Sequence, residues 1–242
     1  MMRPAWFLIA VLSIFAPAAS ADDGGISAVG GAVRPLGRSV AVSMESEYVH
    51  ARIRQDSASV ECVFVLVNHG PATTISVGFP CASSGADADS SSARFDFFRS
   101  FVDGREVAVR VLPDSTHQAY GDFRTWWVKN VRFERGQRRT LCEVYSARPG
   151  SSLPNYRWFS YTLATGSTWR GPIGVGDVVF TLEGIAPDSV TDVSPPPTSR
   201  TPLELRWHFE NLEPTLGSDY AVLSVGWNDP RTPWMYEFDR EE

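Results

Sequence analysis

Lysine is all but missing from this 242-residue chain: Lys129 is the only one, and every other basic residue is arginine. That skew reads as the mark of a GC-rich, bacterial genome. Positive charge is scarce overall. The formal net charge is −6, and it becomes one unit more negative if Arg3 is removed with a leader. A modestly acidic chain lacks the clustered positive field that nucleic acid or an anionic membrane surface requires, so neither is expected as a partner. There are three cysteines, Cys62, Cys81 and Cys142, with no Cys-x-x-Cys pair, which argues against a zinc site. His-x-Glu-x-His spacing is absent. So is the Gly-x-Ser-x-Gly elbow of serine hydrolases. The four histidines, His50, His69, His117 and His208, lie far apart with no motif around them, and each reads as solvated or structurally hydrogen-bonded. None of these patterns implies a metal or a cofactor.

Long apolar runs are equally scarce. One stands at the start: Met1-Met2-Arg3 is a short charged head, residues 5–16 are apolar, and Ala19-Ser20-Ala21 is a small-x-small exit before Asp22-Asp23. This is the layout of a secretory signal peptide over residues 1–21. The apolar run falls short of the ~20 residues that span a bilayer. No later stretch is apolar enough for a membrane helix, so the expectation is a secreted or periplasmic protein without a membrane span once the leader is gone. The odd cysteine count leaves two options. Cys62 and Cys81 come level if their two runs form a hairpin around residues 68–71, and a bridge there would contribute about 3 kcal/mol; otherwise all three are buried thiols.

What is present is β pattern. Residues 22–38 are rich in glycine and alanine and read as an extended entry to a β-domain over residues 39–242. Val49, Ala51 and Ile53 alternate with His50, Arg52 and Arg54, the period of a strand with one wet face. Residues 60–67 are apolar on both faces apart from Glu61, as in a central strand. Asp103-Gly104 predicts a hairpin joining residues 95–102 to 106–112, since both types tolerate the positive φ of a type I′ turn. Residues 126–133 and 138–145 repeat the arrangement around Gly136. Only residues 113–123 could hold a helical turn. Seventeen prolines and nineteen glycines punctuate these short runs. The fold class is therefore all-β, an antiparallel β-sandwich, with residues 184–202 and their Pro195-Pro196-Pro197 either a long connection or a seam between two packed β lobes.

Several phrases carry a family likeness: Gly30-Gly31 followed by Met44-Glu45, residues 63–68 leading into Val77-Gly78-Phe79-Pro80, and residues 133–137. Residues 161–166 with 169–174, and residues 207–215, complete the set. The chain resembles an uncharacterised family of bacterial exported β-rich proteins, with Gln137 standing where the pattern leads one to expect glutamate. The resemblance implies an exported β architecture. It implies no chemistry.

Candidate sites follow from residue type. Asp87-Ala88-Asp89 could converge on Ca²⁺, but the EF-hand glycine and terminal glutamate are missing, and a solvated loop is the better reading. Glu45 and Glu47, two apart on one strand, are expected on the same face, with one of them paired to an arginine such as Arg52. Arg135, Arg138 and Arg139 form a solvated basic tip at a turn. Tryptophan is the distinctive resource, with seven left after the leader. Most belong in a sandwich core. Trp127, Trp158, Trp169 and Trp234 are the candidates for exposure, able to stack on a sugar ring or anchor a protein. The expected role is an exported non-catalytic β-sandwich protein that binds an envelope protein or glycan, or serves as a structural component. The alternatives are a carbohydrate-binding module and a hydrolase whose carboxylates come from distant strands.

Overall fold

The computed structural model describes residues 27–36, 41–84, 95–113, 123–152, 155–215 and 220–231. The leader, the Asp87–Asp89 loop, His117 and Trp234 lie outside the described residues. Strands follow one another with no α-helix among the described residues: β1 (Ser27–Gly31), β2 (Arg34–Pro35), β3 (Val42–Ile53), β4 (Ala58–Asn68), β5 (Thr73–Ser84) and β6 (Phe97–Val102). Then come β7 (Arg105–Val107), β8 (Arg110–Pro113), β9 (Phe123–Phe133), β10 (Arg138–Ala147), β11 (Gly150–Ser152) and β12 (Tyr156–Thr162). The last are β13 (Ile173–Leu182), β14 (Val190–Ser194), β15 (Ser199–Arg200), β16 (Glu204–Leu212) and β17 (Val222–Asn228).

They form two sheets. One runs β14-β17-β12-β1-β5-β9-β8, with β11 beside β12 and β2 beside β5. The other runs β15-β16-β13-β3-β4-β10-β6-β7. The inward side chains of both make one apolar core. Rings meet across it: Phe79 of β5 lies 5.2 Å from Tyr145 of β10, and Phe159 of β12 lies 5.2 Å from Phe180 of β13. The all-β sandwich expected from the sequence is the fold observed. Its pairing is antiparallel except at β1–β12 and β3–β13, which run parallel.

Three connections differ from the sequence expectation for one shared reason. The turn at Gly136 (φ 69°) is present, yet β9 and β10 do not pair; one joins each sheet, so the chain arches over the core instead of forming a hairpin. The turn after Asn68 does the same between β4 and β5. Cys62 and Cys81 therefore lie in different sheets rather than level across a hairpin, and both are free buried thiols. At Asp103 (φ 49°) and Gly104 (φ 75°) the hairpin does form between β6 and β7, but the strand expected over residues 106–112 breaks, and β8 crosses to pair with β9. Periodicity records which face of a strand is apolar, and an arch and a hairpin share that pattern. Residues 185–202 supply an edge strand to each sheet, β14 to one and β15 to the other, and Pro195 accepts a hydrogen bond from Trp207 Nε1 at 2.9 Å.

Candidate functional site

Two places concentrate polar and aromatic chemistry, one inside the sandwich and one on its outer surface. The inner one begins with a β-bulge. Met44 pairs with Leu66 and Ser46 with Val65, leaving Glu45 as the extra residue of β3. The insertion shifts the phase of the strand, so Met44 and Glu47 both point inward. Glu45 and Glu47 are thus not the neighbours that alternation predicts. Glu45 pairs with Arg138 at the surface, while Glu47 is 1 % exposed. Tyr161 Oη donates to Glu47 Oε1 at 2.8 Å. Burial raises the Glu47 carboxyl to about 8, against the lowering effect of the Tyr161 bond, so it keeps its proton at neutral pH. Burial also raises the Cys62 and Tyr161 groups well above their ordinary values.

Along the same inner face, Cys62 pairs with Glu143 of β10, and Glu143 with Ser100 of β6. From the opposite sheet, Lys129 of β9 reaches across: its Nζ contacts Glu143 Oε1 and lies 2.8 Å from Ser100 Oγ. Lys129, Glu143 and Ser100 are 4 %, 0 % and 1 % exposed. A serine beside a lysine can act as nucleophile and base. Here all three side chains are enclosed, and a substrate carbonyl has no approach to Ser100. The same enclosure applies to Glu47, Glu143 and Asp229, the buried carboxylates among the described residues.

The four tryptophan candidates separate. Trp169 is buried, 5 % exposed, and donates from Nε1 to Val33 at 2.7 Å, so its expected exposure does not hold. Trp127 turns inward and stacks on Phe98 with centroids 4.7 Å apart, while its neighbour Trp126 faces outward and is covered by Arg34, 4.4 Å from its ring. Trp234 lies outside the described residues. Trp158 alone stays on an outer face, and it is joined there by Tyr156, which composition and spacing place beside it but do not distinguish from the core tyrosines.

This outer site is built on glycine. Trp158 pairs with Gly150 of β11 on one side and Gly226 of β17 on the other. A Cβ on Gly150 would meet the Trp158 ring at 2.2 Å, and one on Gly226 would meet the Tyr156 hydroxyl at 2.0 Å. Only glycine lets both rings lie down on the sheet. They are half-buried, 22° from parallel, with centroids 5.9 Å apart. Cross-strand register surrounds them with small polar groups: Asn228 opposite Tyr156, Asp192 opposite Gly226, and Ser160 opposite Ser224. Burial, then the charge of Asp192, raises the Tyr156 phenol, which stays protonated and able to donate. Two flat apolar faces edged by hydroxyl, amide and carboxylate groups can hold a ring that carries C–H on its face and hydroxyls on its rim.

Below this site Asp229 anchors an ion-pair network. It is 1 % exposed and accepts from Arg157 Nε at 2.9 Å and Arg231 Nε at 2.9 Å, and Arg231 also grips both oxygens of Asp56. The arginines hold its carboxyl well below the usual carboxylate range. The network clamps the β3–β4 turn to the start of β12 and the end of β17, the two strands that carry the aromatic pair. The three described histidines each have a side-chain partner: His50 lies 3.0 Å from Thr181, His69 lies 2.7 Å from Ser43, and His208 lies 3.2 Å from Asp177.

No family model and no curated protein matches the chain. Among solved structures, it superposes on a candidate nutrient-binding protein of Legionella pneumophila with a TM-score of 0.62. Identity is 18 %, over 85 % of this chain and 72 % of that one. The likeness shows the fold and nothing of the chemistry. An M1 zinc metallopeptidase of Deinococcus radiodurans overlaps at a TM-score of 0.38 with 13 % identity, over 77 % of this chain and 42 % of that one.

Proposed function

We propose that the protein is an exported, non-catalytic binding protein of the bacterial envelope, and that it holds a glycan on the outer face formed by Tyr156 and Trp158. The observation that carries this reading is the pair of glycines, Gly150 and Gly226, under the two rings. Outward-facing aromatic rings laid flat on a sheet present apolar faces to a ligand, and the polar side chains beside them supply hydrogen bonds for its rim. A fold shared with a candidate nutrient-binding protein is compatible with a binding role. The leader-like residues 1–21 support an envelope location.

The test is a titration of the purified protein with soluble N-acetylglucosamine oligomers and muropeptides, followed by tryptophan fluorescence and calorimetry. Saturable binding is expected, weakened at least about tenfold (~1.4 kcal/mol) in Trp158→Ala and in Tyr156→Ala, and largely kept in Trp158→Phe. Binding indifferent to Trp158→Ala, or none to any of these probes, refutes the site. Sequencing the amino terminus of protein recovered from outside the cytoplasm tests export, with a start near Asp22 expected.

A second reading draws on the other sheet. Register sets Tyr48, Val63, Cys142 and Phe101 in one row across its outer face, and Tyr48 is 44 % exposed. Such a band suits a protein partner. Retention of a partner by Trp158→Ala but not by Tyr48→Asp would favour it.

A further inference from the structure

Every member of the chain's set of 22 Lys and Arg residues is arginine except one, and that one is enclosed between the sheets. For a buried ion pair arginine is the better residue: its planar fork binds a carboxylate through two bonds and is more weakly hydrated than an ammonium. What an arginine cannot do is lose its proton and act as a nucleophile. The position of Lys129 therefore asks for that property. Its surroundings supply the counterpart. The Nζ atom contacts the carboxyl of Glu143 and lies 2.8 Å from the Ser100 hydroxyl, and Glu143 Oε2 has no hydrogen-bond partner among the described residues. A fully charged pair is poorly accommodated here, because desolvating two ions is repaid only when their remaining lone pairs and protons are satisfied. The enclosed setting instead favours the neutral amine and the neutral acid, and burial lowers the Lys129 ammonium accordingly.

We propose that Lys129 and Glu143 condense into an intramolecular amide, a covalent strut between the two sheets. The neutral amine nitrogen adds to the carboxyl carbon of protonated Glu143, forming the N–C bond. The C–OH bond then breaks, the nitrogen gives one proton to the departing hydroxyl, and one water leaves. The Ser100 hydroxyl, which accepts from the nitrogen, holds the amine in place for the addition. No oxidant, metal or activated co-reactant enters. The amide keeps one N–H for Ser100 and carries no charge, which removes the burial penalty of the pair. The arch between β9 and β10 makes this possible, because it sets inward residues of the two strands face to face.

Mass spectrometry of the folded full chain, denatured after purification, tests the strut. The expected mass is one water less than the sequence from whatever amino terminus is found. Trypsin should leave Lys129 uncut and release residues 125–132 joined to residues 140–157, the latter continuous through Arg148 because Pro149 follows it. Lys129→Arg and Glu143→Ala should restore the unmodified mass. Should those variants fail to fold, the linked peptide in the wild type decides the matter alone. A wild-type chain of full sequence mass, with Lys129 cut by trypsin and open to an amine reagent after denaturation, overturns the proposal.

Discussion

Replacing Glu47 by glutamine removes a buried titratable group while keeping the oxygen that Tyr161 donates to. In the folded protein burial raises this carboxyl from 4.5 to about 8. In the unfolded chain it ionises near 4.5. Between those values the native state holds a proton that the unfolded state has released, so wild-type stability falls as pH rises from about 4.5 and levels off above about 8. Each pH unit in the window is worth about 1.4 kcal/mol, which amounts to on the order of 3–5 kcal/mol across it. Glu47→Gln has no such group. Other titrating side chains, His50 and Asp229 among them, are common to both proteins and cancel in the difference. Urea unfolding followed by tryptophan fluorescence at pH 5, 6, 7 and 8 should therefore show the variant gaining on the wild type at each step. Parallel pH profiles for the two proteins would refute the reasoning, because Glu47 would then be ionised in the fold or reached by solvent.

Removing the carboxylate in Asp229→Ala should destabilise the protein by about 2–4 kcal/mol, since it strips Arg157 and Arg231 of a buried partner. The depressed carboxyl stabilises the fold above about pH 4 and loses that contribution as pH falls, so acid unfolding of the variant should begin from a flatter baseline. Gly150→Ala should cost about 1–3 kcal/mol in denaturant unfolding and also weaken glycan binding, because the added methyl lifts the Trp158 ring from its floor.

Much of this architecture is legible in the residues, and the failures share a cause. Asp103-Gly104 announces its turn because positive φ demands particular residue types. Alternation in β3 from Val49 onward names the inward face correctly. The bulge at Glu45 leaves no such trace, since any residue can be the extra one, and its effect is to reverse the predicted orientation of everything before it. Gly136 marks a turn but not whether the next strand lies beside the last or opposite it. That choice decides whether Lys129 and Glu143 are distant or touching. The aromatic site was half visible: Tyr156 and Trp158 stand two apart, but their floor comes from Gly150 and Gly226, and the far partner enters only through the β12–β17 register. Trp169 looks equally eligible in the sequence, and its packing in the apolar core with a bond to Val33 places it inside.

The parallel contact between β3 and β13 bears on how the molecule is made. While the chain is being synthesised, β4 emerges soon after β3 and can cover one of its edges. The other edge waits for residues near Val178, far down the chain, to seal it. Until then the nascent polypeptide carries an open row of amide and carbonyl groups flanked by exposed apolar side chains, the kind of template on which unfinished chains stick to one another. Late closure of that edge makes the interval before β13 arrives the aggregation-exposed stage of folding.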